Sequence, residues 1–241
     1  MTAPLDPSPL SSVARAAPPV SAIADVLALW GRDGWLTPPL TPVIAAAEPM
    51  VGRVQTITVQ VGSSGPGLSR IYDVLSSDLT GRFVVIAGAA PLPGAMFGEI
   101  LALSAQRCGA LGVLIDGNVR DAPSMAAVGL PVYGTGQCVV GPNALAHVVA
   151  VGEPVEIGGV RIDTDDHIVV DATGCVRVGA HDLDDVLDAA ARYASAEDLV
   201  VEALQSGATL ATAYHHKKSA VDELSRRRRE EVTTGSATPS T

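Results

Sequence analysis

Two short loops carry the side chains best suited to chemistry. The first lies within residues 88–99, contains two prolines and three glycines, and ends in Gly98-Glu99. The second, DGNVRD, delivers Arg120 and Asp121. A guanidinium can polarise a carbonyl or pair with a carboxylate, and a carboxylate can hold a hard divalent cation whose remaining ligands are water. We therefore expect a small-molecule site where these loops meet.

A central βαβ unit is predicted to bring the two loops together. RFVVIAG (82–88) reads as a buried strand, GEILALSAQRCG (98–109) as a helix and ALGVLIDG (110–117) as a second buried strand. Such a crossover makes the strands parallel, so the loops that leave their carboxyl ends share one edge of the sheet. The start of the helix adds unpaired N–H groups and partial positive charge, which suit a carboxylate or a phosphate.

The remaining sequence predicts one domain with extensions. Residues 1–20 are rich in Pro, Ser and Ala and are predicted to be a disordered leader, and 21–182 form the catalytic domain. Residues 183–225 predict one or two helices as a C-terminal extension, followed by a disordered basic and polar tail, 226–241.

Within the predicted domain, a helix begins at Ser21, which we expect to cap it, and VGRVQTITVQV reads as a half-buried strand. Three later β-like groups are LPVYGTG, HVVAVGEPVEIGGVRI and HIVVDATGCVRVG. We expect them to form a second, mostly antiparallel layer.

Composition narrows the classes of partner. The formal net charge of −10 argues against nucleic acid, and Arg226–Arg229 read as part of a solvated tail. Aromatic residues make up only 3%, which favours small polar ligands over large flat ones. Cys108, Cys138 and Cys175 are predicted to be reduced and mostly buried. With no signal or membrane segment apparent, we expect a cytoplasmic protein without a membrane partner.

Other polar groups are better explained structurally. Asp163, Asp165, Asp166 and His167 fall between strand-like runs and predict a turn rather than a metal site. His215-His216 lies on a predicted surface helix. GSSGPG, residues 62–67, matches neither a nucleophile elbow nor a phosphate-binding fingerprint and reads as a loop. Asp116 and Asp171 follow buried strands and are expected to cap turns.

Residues 98–121, GEILALSAQRCGALGVLIDGNVRD, resemble the signature of the RraA-like family. Twenty residues separate Glu99 from Arg120-Asp121, as in that signature. SAIADVL, LPVYGTG, PVEIGGV followed by Asp166, and VVDATGCVRV extend the similarity from about Ser21 to Val178. The family contains the regulator of ribonuclease E activity and the 4-hydroxy-4-methyl-2-oxoglutarate aldolases.

The resemblance implies an α/β fold, a layered β/β/α sandwich, assembled as a homotrimer or a dimer of trimers with sites at subunit boundaries. It also implies that Asp121 binds Mg²⁺ or Mn²⁺, that Glu99 contacts metal-bound water and that Arg120 holds a 2-oxo acid and stabilises enolate charge. Gly98 and the backbone amides near Ile100 and Leu101 would receive the substrate carboxylate.

The chain departs from the family pattern at three places. Glu99 replaces the usual Asp, residues 65–75 lack an Asp-Asn pair often found there, and residues 141–147 carry Asn143 and His147 where acidic and basic residues are common. We therefore expect the metal and pyruvyl chemistry to be more reliably shared with the family than its named substrates.

Three hypotheses follow. The leading one is a divalent-metal-dependent lyase acting on a small 2-oxo acid, by aldol cleavage or by decarboxylation of oxaloacetate. The second is a non-catalytic trimer that binds a ribonuclease-like partner, because an acidic surface suits a basic protein. The third is a lyase or isomerase reassigned to a specialised pathway, since a shared fold does not fix the substrate.

Overall fold

The structure, a computed structural model, describes residues 15–63 and 65–235. Its helices are α1 (Val20–Leu29), α2 (Ser69–Leu75), α3 (Glu99–Arg107), α4 (Ala122–Val128), α5 (Leu183–Gln205), α6 (Leu210–Ala213) and α7 (His215–Gly235). Its strands are β1 (Arg15–Ala16), β2 (Thr41–Ile44), β3 (Met50–Val61), β4 (Arg82–Ala87), β5 (Ala95–Phe97), β6 (Gly112–Ile115), β7 (Asn118–Val119), β8 (Val132–Gly134), β9 (Gly136–Gln137), β10 (Ala146–Val151), β11 (Val155–Ile157), β12 (Val160–Ile162), β13 (His167–Val170) and β14 (Cys175–Val178).

A mixed sheet of nine described strands organises the molecule. Its order is β14-β13-β3-β4-β6-β8-β2, and β1 and β10 also pair with β3. The pairs β3–β4, β4–β6 and β6–β8 are parallel, which confirms the predicted crossover from β4 through α3 to β6. The pairs that join β2, β10, β13 and β14 to the sheet are antiparallel.

The central strands are buried on both faces because their side chains alternate between two cores. On β4, Val84 and Ile86 pack with buried residues of α2, α3 and α4, whereas Phe83 and Val85 face the opposite way. The opposite face is covered by the β11–β12 hairpin and by residues such as Leu36. A hairpin, a sheet and a helical layer together form the predicted β/β/α arrangement.

The C-terminal helices complete a third core. Buried residues of α1 and α5 pack against the β13–β14 end of the sheet, and Leu224 of α7 joins them. Tyr193 of α5 donates a hydrogen bond to Asp25 of α1 at 2.6 Å, and Lys217 of α7 donates to Glu197 at 2.7 Å. The extension is therefore packed onto the first helix of the domain.

Several boundaries differ from the sequence predictions. The predicted disordered leader includes residues 15–20, yet β1 pairs with β3 and α1 already begins at Val20. Residues 1–14 lie outside the described part of the chain. The helix backbone of α7 continues to Gly235 through the expected tail, of which only 236–241 is outside the described residues.

Two further predictions are corrected by long-range contacts. Ser21 does not cap α1; the N–H group of Val20 instead donates to the carboxylate of Asp171 at 2.8 Å. The later strands are mostly antiparallel, as predicted, but β10 and β13 pair with the long strand β3 and β14 pairs with β13, so all three extend the main sheet. Among these described strands, the separate layer is limited to β11 and β12.

Candidate active site

A small parallel sheet positions the predicted site. Its order is β5-β7-β9, and these strands follow β4, β6 and β8 of the main sheet along the chain. The sequence interpretation assigned β5 and β7 to loops, because two or three residues are too few to show a periodic pattern. The N–H group of Arg120, just after β7, donates to the carbonyl of Phe97 at 2.9 Å. This bond sets the start of α3 beside the Arg120-Asp121 pair.

The amino end of α3 offers backbone donors to an anion. Gly98 precedes the helix in an extended conformation, and its carbonyl accepts from Ala102 at 3.0 Å. No side chain caps this end of the helix. Glu99 occupies the first turn, and the N–H groups of a first turn have no partner inside their own helix. The structure therefore has a helix start without a side-chain cap where the sequence predicted an anion site, and Ile100 beside it is 80% exposed.

Arg120 and Asp121 form a loose pair at the start of α4. The Nε atom of Arg120 lies 3.5 Å from Oδ2 of Asp121, and both side chains are nearly half exposed. Asp121 has a left-handed backbone (φ 61°, ψ 35°), which Asp tolerates better than most residues. Its carbonyl accepts from Met125 at 2.9 Å, so the backbone here is fixed while the carboxylate stays accessible.

Gly98 leaves room for the close approach of this pair. A Cβ atom at position 98 would lie 3.0 Å from Cγ of Arg120 and 3.0 Å from Oδ2 of Asp121. It would also lie 3.4 Å from Nε of Arg120. The missing side chain therefore lets the guanidinium and the carboxylate rest directly against the start of α3.

One cavity of about 340 Å³ collects the residues that the sequence predicted. Gly98, Glu99, Ile100, Leu101, Arg120 and Asp121 all line it. The other lining residues are Leu68, Tyr72, Leu75, Ser76, Ala95, Met96, Phe97, Ser104 and Pro142. The candidate site thus combines two carboxylates, one guanidinium and a helix start in a space suited to a small organic acid.

The donor set fits a magnesium-like ion better than a fully protein-ligated metal. Glu99 and Asp121 supply two carboxylates to the cavity. Within the described residues no group of three or more His, Cys, Asp or Glu side chains is close enough to share a metal. Mg²⁺ is commonly held by one or two carboxylates while keeping several waters, so two carboxylates suffice for it.

Sequence reasoning did not identify the wall opposite the charged groups. Leu68, Tyr72 and Leu75 line the cavity from α2 and the residue before it. Their spacing of four and three residues is that of one helix face, and this periodicity is the signal that could have found them. Of the segment 141–147, Pro142 lines the cavity, whereas His147 is buried on β10 against Gly65.

Asp171 and Asp116 lie away from the cavity and have structural contacts. Asp171 joins β13 to α1, since its carboxylate accepts from Val20 at 2.8 Å and from the N–H group of Thr173 at 2.7 Å. The carboxylate of Asp116 accepts from the N–H group of Gly88 at 3.4 Å.

The acidic run before β13 forms a turn stabilised by ion pairs. Asp163 contacts Arg161 at 2.7 Å, and Asp166 contacts Arg177 at 2.7 Å. Asp166 also accepts from the N–H group of Asp163 at 2.8 Å. His215 and His216 are exposed at the start of α7. None of these residues lines the cavity described above.

The three cysteines are free and partly buried rather than fully buried. Burial raises the pKa of the Cys175 thiol to about 12, and the nearby carboxylate of Asp171 acts in the same direction. Since the thiolate is the reactive form, Cys175 has the properties of a structural residue.

The fold and the site together define a mixed α/β protein with a cavity, lined by two carboxylates and a guanidinium, at the edge of a crossover. The family model described as "RraA-like: Aldolase/RraA" matches residues 20–177. The chain belongs to this family. The match begins with α1 and ends in β14, so α5, α6 and α7 lie beyond it.

Individual relatives are more distant. Two are named "Putative 4-hydroxy-4-methyl-2-oxoglutarate aldolase": one from Photobacterium profundum, 39% identical over 70 residues, and one from Xanthomonas campestris, 31% identical over 159 residues. The first match covers 29% of this chain and 43% of the relative, and the second covers 61% and 92%.

A solved structure of Streptomyces coelicolor RraAS2 shares the fold, with a TM-score of 0.66 at 22% identity. The superposition covers 80% of this chain and 95% of that one. Within the described residues, none of the helices is both long enough and apolar enough to cross a bilayer.

Proposed function

We propose that this protein is a divalent-metal-dependent lyase that releases pyruvate from a small 2-oxo acid. The observation that carries the proposal is the convergence of Glu99, Arg120 and Asp121 on one cavity at the start of α3. The aldolase names of the relatives support the same class of reaction at family level.

Asp121 and Glu99 would hold Mg²⁺ or Mn²⁺, Asp121 directly and Glu99 through water. When bound, the ion would supply Lewis-acid polarisation of the 2-oxo group. The substrate carboxylate would bind at the start of α3, where the N–H groups of Ile100 and Leu101 belong to the uncapped first turn. Gly98 leaves room for this approach.

Arg120 would stabilise the charge that develops during bond cleavage. In aldol cleavage, a water positioned by Glu99 accepts the proton of the C4 hydroxyl, the C3–C4 bond breaks, and C4 leaves as a carbonyl compound. The electron pair of the broken bond forms the C2–C3 double bond of an enolate, and the negative charge comes to lie on the C2 oxygen. Protonation at C3 then gives pyruvate. Loss of carbon dioxide from oxaloacetate breaks the corresponding bond and develops charge on the same oxygen, so one guanidinium can serve both reactions.

The test is turnover of 4-hydroxy-2-oxo acids and oxaloacetate with Mg²⁺ or Mn²⁺, measured as pyruvate release with lactate dehydrogenase. Asp121→Asn is the informative variant because Asn also tolerates the left-handed backbone at this position. We expect it to reduce metal-dependent turnover by about 100-fold or more. Asp165→Asn, an exposed carboxylate in the turn before β13, is the matched control. Equal turnover by wild type and Asp121→Asn, or no binding of either ion, would refute the proposal.

We also propose that the protein works as a homotrimer or a dimer of trimers in the cytoplasm. Ile100 is 80% exposed at the cavity and Val139 is 92% exposed just after β9, and large exposed apolar side chains near a site favour contact with another subunit. Light scattering coupled to gel filtration measures the assembly.

A second candidate function is regulation through binding of a basic ribonuclease-like partner. The net charge of −10 favours it, and the Streptomyces coelicolor protein of the same fold is described as an unusual member of the RNase ES inhibitor RraA protein family. Capture of such a partner together with an absence of metal-dependent turnover would favour this function over the lyase. A lyase or isomerase with a specialised substrate is the remaining alternative.

A further inference from the structure

The α2 wall, the part of the cavity formed by α2 and the residues that flank it, is largely apolar. Leu68, Tyr72 and Leu75 contribute side chains, Ser76 adds one hydroxyl, and Pro142 and Leu101 extend the surface. The hydroxyl of Ser104, on α3, donates to the carbonyl of Leu75 at 2.8 Å, so α2 is held alongside α3. A substrate bound at the start of α3 therefore has an apolar surface beside it.

The described lining of the cavity carries little cationic charge. Among its described lining residues, Arg120 is the single cation, whereas Glu99 and Asp121 contribute two negative charges. Arg70, the basic residue of α2, does not line the cavity, and its guanidinium donates to the carbonyl of Val149 at 3.3 Å. A second carboxylate on a substrate would reach the α2 wall without finding a cation of the same protomer there.

This distribution discriminates against dicarboxylic substrates. A carboxylate beside this wall loses part of its hydration without gaining an ion pair, which is unfavourable. An alkyl or aryl group in the same place instead removes apolar surface from water. Arg120 is not available to the second carboxylate, because the proposed function assigns its guanidinium to the 2-oxo group, and its Nε atom lies 3.5 Å from Oδ2 of Asp121.

We infer that the substrate is a monocarboxylic 2-oxo acid whose far end carries an uncharged apolar group, with Tyr72 as a specificity-determining residue. The inference rests on the proposed function, because the 2-oxo acid end is assigned to Arg120 and the start of α3. Tyr72 lines the cavity and is 55% exposed. We therefore place its ring at the cavity opening, next to the end of the substrate that is farthest from the 2-oxo acid group.

Calorimetry with the full-length protein and Mg²⁺ tests the inference through three probes. Binding of pyruvate measures the affinity of the site for the 2-oxo acid end alone. The compounds 5-methyl-2-oxohexanoate and 2-oxoglutarate have the same heavy-atom skeleton, but two methyl groups in the first replace the two terminal oxygens of the second. We expect 5-methyl-2-oxohexanoate to bind at least tenfold more tightly than 2-oxoglutarate.

The outcomes separate this inference from the proposed function. If pyruvate binds and 2-oxoglutarate binds as tightly as 5-methyl-2-oxohexanoate or more tightly, the inference is overturned and the lyase proposal stands. If none of the three probes binds in the presence of Mg²⁺, the proposed function is overturned and the inference falls with it. Pyruvate binding together with the tenfold preference supports both.

A variant tests the role of Tyr72. Tyr72→Arg places a cation on the α2 wall and is expected to shift the affinity ratio at least tenfold toward 2-oxoglutarate. Tyr214→Arg is the matched control, because Tyr214 is 50% exposed and lies after α6, outside the cavity lining. An unchanged ratio in Tyr72→Arg would exclude this residue as the selector, and an equal shift in Tyr214→Arg would attribute the change to overall charge.

Discussion

Replacing Gly98 by Ala separates the function of the site from the stability of the fold. The backbone at Gly98 is extended (φ −165°, ψ −171°), a conformation that alanine adopts without strain. The new Cβ would lie 3.0 Å from Cγ of Arg120 and from Oδ2 of Asp121. Comfortable separations between carbon atoms begin at about 3.5 Å, so Cγ of Arg120 must move by up to about 0.5 Å, and Oδ2 of Asp121, an oxygen, by less.

The expected effects differ in size because both neighbours are partly exposed. Arg120 and Asp121 are 43% and 47% exposed, so they can move into solvent, and the free energy of unfolding should change by only about 0.5 kcal/mol. Catalysis is more sensitive, since a misplacement of about 1 Å can cost about 100-fold in rate. For about half that displacement we expect a tenfold loss of kcat/KM, equivalent to roughly 1.4 kcal/mol.

The assay compares kcat/KM for pyruvate release with the midpoint of thermal unfolding. Gly62→Ala is the matched control, since its Cβ would meet Cε1 of His147 at 3.7 Å, an ordinary contact outside the cavity. The reasoning is refuted if Gly98→Ala keeps wild-type kcat/KM, or if its lost activity is matched by a comparable loss of folded protein.

Three further substitutions probe other groups. Glu99→Gln should lower kcat about tenfold or more if Glu99 positions water. Its free energy of unfolding, measured by urea denaturation, should change by only about 0.5 kcal/mol, the size of a helix-end charge effect. An unchanged kcat would mean that Glu99 acts only as a structural charge. Asp171→Asn should reduce the free energy of unfolding by about 1–3 kcal/mol with kcat unaffected, because it weakens the acceptor for Val20. Burial raises the pKa of the Tyr133 hydroxyl to about 12. The stability that depends on the protonated hydroxyl is therefore fully present below pH 10 and is lost as the pH rises toward 12. The free energy of unfolding, measured by denaturation at each pH from 8 to 12, should therefore fall more steeply for wild type than for Tyr133→Phe. An equal pH dependence in the two proteins would contradict this assignment.

The sequence predicted the elements whose pattern is local. Strands β4 and β6 are buried on both faces and appear as continuous apolar runs, and α3 between them has a glycine after its end. Because a crossover between parallel strands has one common geometry, the sequence also placed Glu99 and Arg120 at the same edge.

The features that were missed depend on contacts distant in sequence. The carboxylate that accepts from Val20 belongs to Asp171, 151 residues away, so no local pattern distinguishes it from a turn residue. Strands β5, β7 and β9 have two or three residues each, and their pairing depends on the ends of the main-sheet strands. The α2 wall was not predicted, because apolar residues at helical spacing, such as Leu68 and Tyr72, are equally expected of a helix that only packs on the core.

Three local features of the candidate site do little to stabilise the fold. The pair between Arg120 and Asp121 is nearly half exposed with a 3.5 Å separation, and such pairs contribute about 0–1 kcal/mol. The left-handed backbone of Asp121 is a conformation that costs about 1 kcal/mol or more in most residues. The start of α3 lacks a side-chain cap, an interaction that commonly stabilises a helix by about 1 kcal/mol. Their meeting beside Gly98, in one cavity, is better explained by binding and chemistry than by the requirements of folding.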